Sequence, residues 1–83
     1  MNVEEKVKEV LLEILDIKEE DVVPSARFVD DLKATSIDLV EIVTALQNTF
    51  NVNIDETQVA KMRTVQDVVD FLKTALAEKA NPS

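Results

Sequence analysis

The segment with the clearest chemical potential lies near the middle of the chain. It reads D-D-L-K-A-T-S-I-D-L-V-E from Asp30 to Glu41, and it places Ser36 at the start of a predicted helix. Unpaired backbone N–H groups and the positive end of a helix dipole favour a phosphate there. No base residue adjoins Ser36, so the hydroxyl cannot activate itself, but another enzyme can modify it. The alternative interpretation of Ser36 is an ordinary helix-capping hydroxyl.

The rest of the composition excludes most other chemistry. The 83 residues include no Cys, no His and no Gly. Disulfides, the usual zinc ligands and imidazole bases are therefore absent, and so are P-loops and dinucleotide-binding loops. The acidic run at residues 19–21 lacks the central Gly of an EF-hand, so we interpret it as a solvated face and predict no metal site. No catalytic residues are predicted, and an enzyme is the least supported class.

Charge and hydropathy limit the partners and the location. The chain has 17 acidic and 9 basic residues and a net charge of −8. Such a surface repels nucleic acid and anionic lipid, so we expect basic proteins as partners, with no nucleic-acid binding and no membrane insertion. No apolar run exceeds three residues. This pattern predicts neither a membrane span nor a secretory signal in this sequence and favours a cytoplasmic monomer.

The spacing of apolar residues predicts an all-α fold. With no Gly and two Pro, a series of hairpins is unfavourable, whereas Glu, Lys, Leu and Ala favour helix. We predict an up-and-down bundle of three longer helices plus one short helix, in a single domain over residues 1–80 with a frayed tail at residues 81–83. The predicted core stripe of the second helix contains Val40, Val43, Leu46 and Phe50.

A long loop is predicted between helices one and two. About 20 residues, from Asp16 to Thr35, lack helical periodicity but contain scattered apolar side chains. Loops of this length are often functional. We expect its apolar residues to pack the loop against the bundle.

These features, in this order and spacing, resemble the acyl carrier protein family. The family motif is D-S-L, usually with D-x-L-G-A before it and D-x-x-E after it, and its Ser bears a 4′-phosphopantetheine arm. The corresponding stretch here is D-D-L-K-A-T-S-I-D-L-V-E-I-V. The resemblance extends from L-D-I-K-E-E-D-V at the start of the loop to T-V-Q-D-V-V-D-F-L in the last helix.

The resemblance implies a role for each matching residue. Ser36 would hold 4′-phosphopantetheine, taken from coenzyme A, through a phosphodiester on its Oγ. The positions that would face the phosphopantetheinyl transferase and acyl-processing enzymes with basic docking patches are Thr35, Ile37, Asp38 and Glu41. The family also sequesters the acyl chain between helices, and the matching pocket positions are Phe28, Val29, Leu46, Ile54, Val59, Met62, Val68 and Phe71. The acidic pair could instead stabilise the helix dipole, and the apolar set could be ordinary core.

The chain also departs from the family pattern. Thr35 replaces the Asp before the Ser, and Lys33 replaces the usual Gly. Gln47 and Asn48 stand where acidic residues often continue the recognition helix. The docking face is therefore less negative than usual, which suggests a carrier with a dedicated set of partners.

The predicted function is a non-catalytic carrier of acyl thioester intermediates in fatty-acid or specialised acyl and lipid biosynthesis. The cofactor would supply the thiol that the chain lacks. One alternative is an interaction module that has kept the carrier fold without cargo. Another is a carrier of aminoacyl or peptidyl units, although the acidic balance and Asp38 favour acyl cargo.

Overall fold

The fold is a helical bundle, seen in a computed structural model that describes residues 2–80. Helix α1 spans Val3–Ile14, α2 spans Ser36–Phe50, α3 spans Glu56–Val59 and α4 spans Val65–Ala80. A short 3-10 helix, Glu19–Asp21, lies between α1 and α2. The all-α prediction, with its long first loop, is confirmed. The tail predicted at residues 81–83 lies outside the described residues.

The core forms where α1 packs against both α2 and α4. Leu11, Leu46 and Leu72 are fully buried, one from each of these helices. Burying a side chain of this size stabilises the fold by about 1.5–3 kcal/mol. None of the described helices is long and apolar enough to cross a membrane.

The loop between α1 and α2 is packed down, as expected from its apolar residues. Its buried side chains are Ala26, Phe28, Leu32 and Ala34. The backbone oxygens of Ala26 and Pro24 accept hydrogen bonds from the N–H groups of Val65 and Gln66, at 3.0 and 2.9 Å. Because these N–H groups in the first turn of α4 have no partner within the helix, the loop completes its hydrogen bonding. The chain leading into α2 is thereby anchored beside the start of α4.

One part of the predicted core stripe of α2 is wrong. Val40 is 65% exposed, and the buried residues of the helix are Ile42, Leu46 and Phe50. Ile42 precedes Leu46 by four residues and therefore shares its face. Val40 precedes Ile42 by two residues, which is about 200° of rotation, so Val40 lies on the opposite side of the helix from Ile42.

Candidate functional site

Ser36 is the first residue of α2, and its side chain is exposed. The N-cap of α2 is the preceding residue, Thr35. Thr35 Oγ1 accepts a hydrogen bond from the Asp38 backbone N–H at 3.1 Å, and Asp38 Oδ2 accepts one from the Thr35 backbone N–H at 2.9 Å. This reciprocal capping box is complete without the serine. The Ser36 hydroxyl is therefore left for other chemistry.

The turn that leads to Ser36 is held by Asp31. Its Oδ2 accepts a hydrogen bond from the Arg27 backbone N–H at 2.8 Å and lies 3.6 Å from the Arg27 Nε. The backbone hydrogen bond, with the nearby guanidinium, lowers the pKa of Asp31 below its ordinary value. Two residues later, Lys33 adopts a left-handed conformation with φ of 59°. This reversal brings the chain to the start of α2.

An apolar groove opens directly beside Ser36. It has a volume of about 410 Å³ and lies between α2 and the segment containing α3. Its lining residues are Ser36, Leu39, Val40, Val43, Thr44, Ile54, Glu56, Val59 and Ala60. Its volume is within the range of about 300–1,000 Å³ that is usual for small-molecule pockets. The site therefore combines an exposed hydroxyl with an adjoining apolar surface.

The structure separates the eight residues predicted for an acyl pocket. Ile54 and Val59 line the groove beside Ser36. Phe28, Leu46 and Val68 lie in the core, and each is at most 3% exposed. Val29 lies on the surface and is 59% exposed. Met62 and Phe71 line a second groove, between the α3 segment and α4.

Several residues of the groove wall were not predicted as pocket residues from the sequence. Leu39, Val40 and Val43 contribute the α2 side, and Ala60 contributes to the opposite side. The helical phase of α2 places Val40 away from the core once Ile42 and Leu46 are known to be buried, and that burial is seen only in the structure. The contribution of Ala60 depends on how α3 packs and has no comparable signal in the sequence.

The residues predicted for partner recognition lie together at the N-cap and on the first two turns of α2. Thr35 and Glu41 are exposed, and Ile37 is 72% exposed. Asp38 is half-buried, and its carboxylate is engaged in the cap. Val40 lies one turn from Ile37, so two large apolar side chains face solvent next to acidic groups. Exposed apolar patches with polar rims are typical of interaction sites.

Comparison with known proteins agrees with this geometry. A family model described as a phosphopantetheine attachment site matches residues 5–72. An acyl carrier protein from Buchnera aphidicola subsp. Acyrthosiphon pisum (strain 5A) is 40% identical over 78 residues, which are 94% of this chain and 98% of that protein. The family consists generally of non-catalytic carriers that work with a phosphopantetheinyl transferase and acyl-processing enzymes. Because both matches cover most of its length, the chain belongs to the acyl carrier protein family and carries acyl groups on a covalently attached 4′-phosphopantetheine.

Proposed function

We propose that Ser36 Oγ holds the 4′-phosphopantetheine through a phosphodiester. The observation that carries this proposal is an exposed hydroxyl that the helix cap does not use and that lines an apolar groove. The residues fit the group, because a phosphate on Ser36 would lie at the positive end of the α2 dipole. The bound group supplies a thiol to a chain that has no Cys.

The attachment step needs a base from elsewhere. Ser36 Oγ gives up its proton and bonds to the phosphorus that bears pantetheine, and the bond to 3′,5′-ADP breaks. The chain has no His or Cys, and the carboxylate of Asp38, two residues away, is engaged in the cap, so we assign acceptance of the proton to the transferase. The contribution of this chain is to hold the hydroxyl in place, through the hydrogen bonds between Thr35 and Asp38.

The proposed cargo is an acyl chain held as a thioester for fatty-acid or related acyl synthesis. The groove beside Ser36 offers it an apolar wall from α2 and, on the other side, Ile54 and Val59. Each methylene that leaves water contributes about 0.8 kcal/mol, so an acyl chain gains more from this wall than a polar aminoacyl group does. The apolar lining therefore supports acyl cargo.

The proposed docking surface for the transferase and for acyl-processing enzymes is the start of α2. Ile37 and Glu41 face solvent there, and Thr35 lies at the edge. Asp38 adds negative charge, although its carboxylate is engaged in the cap. Basic patches on partner enzymes would complement this surface and give fast, salt-sensitive association.

The test is the intact mass of the protein after incubation with coenzyme A and a phosphopantetheinyl transferase. The unmodified protein should gain the mass of one phosphopantetheine, and Ser36→Ala should gain none while keeping its helical circular dichroism. Ser25→Ala is the matched control, because Ser25 is also exposed but lies in the loop; it should be modified like the parent. Equal modification of Ser36→Ala would overturn the assignment. A parent protein that is never modified would favour the cargo-free interaction module.

A further inference from the structure

Gln47 anchors the connection between α2 and α3. Its backbone oxygen accepts hydrogen bonds from the N–H groups of Asn51 and, at 3.2 Å, Val52. Its side-chain Oε1 reaches further and accepts a hydrogen bond from the Ile54 backbone N–H at 2.9 Å, in a partly buried position. Three N–H groups of one short connection thus converge on a single residue of α2.

The side-chain bond matters because Ile54 has two roles. It is 7% exposed and belongs to the core, and it also lines the groove beside Ser36. The rest of that wall, which includes Val59, comes from the segment that begins immediately afterwards. Helix α3 has four residues, which is too short to be stable by itself. The position of this wall therefore depends on contacts such as the one from Gln47.

We propose that Gln47 is a positioning residue that holds the Ile54 side of the groove in place for the acyl chain. This inference rests on the proposed function, since it requires a chain attached at Ser36 to enter the groove. Without the amide oxygen, the Ile54 N–H loses its partner in a partly buried position, and the connection must move to reach water. Ile54 then leaves its place in the wall, and the groove is no longer preorganised for the chain.

Four variants separate this role from general destabilisation. Gln47→Ala removes the acceptor, whereas Gln47→Glu keeps a side-chain oxygen at the same distance from the backbone. Asn48→Ala is the neighbouring control, because Asn48 is exposed. Val7→Ala removes buried methyl groups from α1 at a position that does not line the groove. The Val7→Ala protein shows how a loss of core stability alone changes the protection of the acyl thioester.

Each variant is first converted to the phosphopantetheine form, checked by intact mass, and then loaded with acetyl or octanoyl groups. Hydroxylamine cleavage of each thioester is compared with cleavage of the same thioester on free pantetheine, and protection is the resulting ratio of rates. Exchange of the Ile54 amide hydrogen is followed by NMR in the same proteins. The first measurement reports on the chain in the groove, and the second reports on the hydrogen bond itself.

We expect octanoyl groups to be better protected than acetyl groups in the parent protein. Gln47→Ala should lose about fivefold of the octanoyl protection, the effect of one hydrogen bond, and should exchange the Ile54 amide faster. Gln47→Glu, Asn48→Ala and Val7→Ala should keep the parent's octanoyl protection. Unchanged octanoyl protection or unchanged Ile54 exchange in Gln47→Ala would overturn the role of Gln47 and leave the groove proposal standing. Equal protection of acetyl and octanoyl in the parent would overturn both proposals, while the mass measurement would still report attachment separately.

Discussion

The two adjacent hydroxyl residues at the start of α2 have different tasks. Thr35 is the N-cap, and its hydroxyl accepts a hydrogen bond from a backbone N–H group of the first turn. Ser36 follows it as the first helical residue, with an exposed side chain. A phosphodiester can therefore form on Ser36 without breaking the cap, because the capping oxygen belongs to the neighbouring residue.

This division predicts opposite effects of two alanine substitutions. Thr35→Ala should lower the free energy of unfolding by about 1 kcal/mol, the usual effect of losing an N-cap. Ser36→Ala should leave it within about 0.5 kcal/mol of the parent but abolish modification. Urea denaturation of the unmodified proteins measures both. A loss of stability in Ser36→Ala as large as that in Thr35→Ala would contradict the assignment of the cap.

The left-handed conformation of Lys33 gives a second prediction at this scale. A residue with a Cβ is strained at a φ of 59°, by about 1–2 kcal/mol, and Gly is not. Gly loses more entropy on folding, which offsets part of this gain. Lys33→Gly should therefore raise the free energy of unfolding by a net value of about 0.5–1 kcal/mol. Lys33→Ala controls for the lost charge and should show no such gain. Equal stability of the two variants would refute the strain.

Asp67 links stability to pH. Its Oδ2 accepts hydrogen bonds from the backbone N–H groups of Arg63 and Thr64, at 3.0 and 3.1 Å, and these bonds hold the pKa of Asp67 below its ordinary value of 3.8. A lowered folded pKa stabilises the fold above pH 3.8, and this contribution is lost as the pH falls through the folded value. Asp67→Asn should therefore be less stable than the parent near neutral pH, and the gap should narrow below pH 3.8.

Thermal denaturation over a pH series measures that gap. Asp16→Asn is the control for the loss of one carboxylate, because Asp16 is exposed and lies in the loop. The Asp16→Asn protein should show no gap of this kind. A constant difference between Asp67→Asn and the parent at all pH values would disprove the linkage.

At the scale of elements, α2 joins the core to the site. Its inner face carries Ile42 and Leu46 into the core, and its outer face exposes Ile37 and Val40 near Ser36. At its other end, Lys79 of α4 donates a hydrogen bond from Nζ to the Asn51 backbone oxygen at 2.8 Å. This contact places a positive charge at the negative end of the α2 dipole, where the last turn of α2 has no basic residue. The position of α2 is therefore supported by α1 in the core and by α4 at its C-terminal end.

The proposed docking surface predicts the effect of one charge reversal. Glu41→Lys should lower the kcat/KM of the phosphopantetheinyl transferase by about tenfold, equivalent to 1.4 kcal/mol, because it opposes the basic patch of the partner. Glu13→Lys makes the same change at an exposed position on α1 and should have a much smaller effect. Both kcat/KM values should be measured at two salt concentrations. Equal losses in the two variants would indicate an effect of net charge rather than of this surface.

At the scale of the whole molecule, the net charge of −8 opposes folding. Most of the described ion pairs are exposed, such as Lys6–Glu9 and Lys73–Glu4, and pairs of this kind contribute little. Repulsion between carboxylates should therefore dominate the response to salt.

Salt should raise the melting temperature of this protein by several degrees. An increase in ionic strength from 0.01 M to 0.1 M shortens the screening length from about 30 Å to about 10 Å and weakens the repulsion. Divalent cations should act at lower concentration. Glu13→Lys, which changes the net charge from −8 to −6, should show a smaller rise. A melting temperature that falls with moderate salt would contradict the prediction.

The helical elements could be predicted from the sequence because their signals are local. Thr35 and Asp38, and likewise Thr64 and Asp67, are three residues apart, and each pair forms its cap in the structure. Asn51 ends α2 in a left-handed conformation, as a small polar residue can. The error at Val40 arose because the apolar residues of α2 are compatible with more than one buried face, and packing against α1 selects one of them.

The sequence by itself determined the all-helical class, the shortage of reactive side chains and the exposed serine at a helix start. These follow from composition and from spacing within a few residues. Only the tertiary structure decided which apolar residues form the groove, since core and pocket positions have the same helical spacing. It alone also revealed the contact between Gln47 and Ile54. That contact spans seven residues across a turn, and its geometry depends on how the chain reverses direction between α2 and α3.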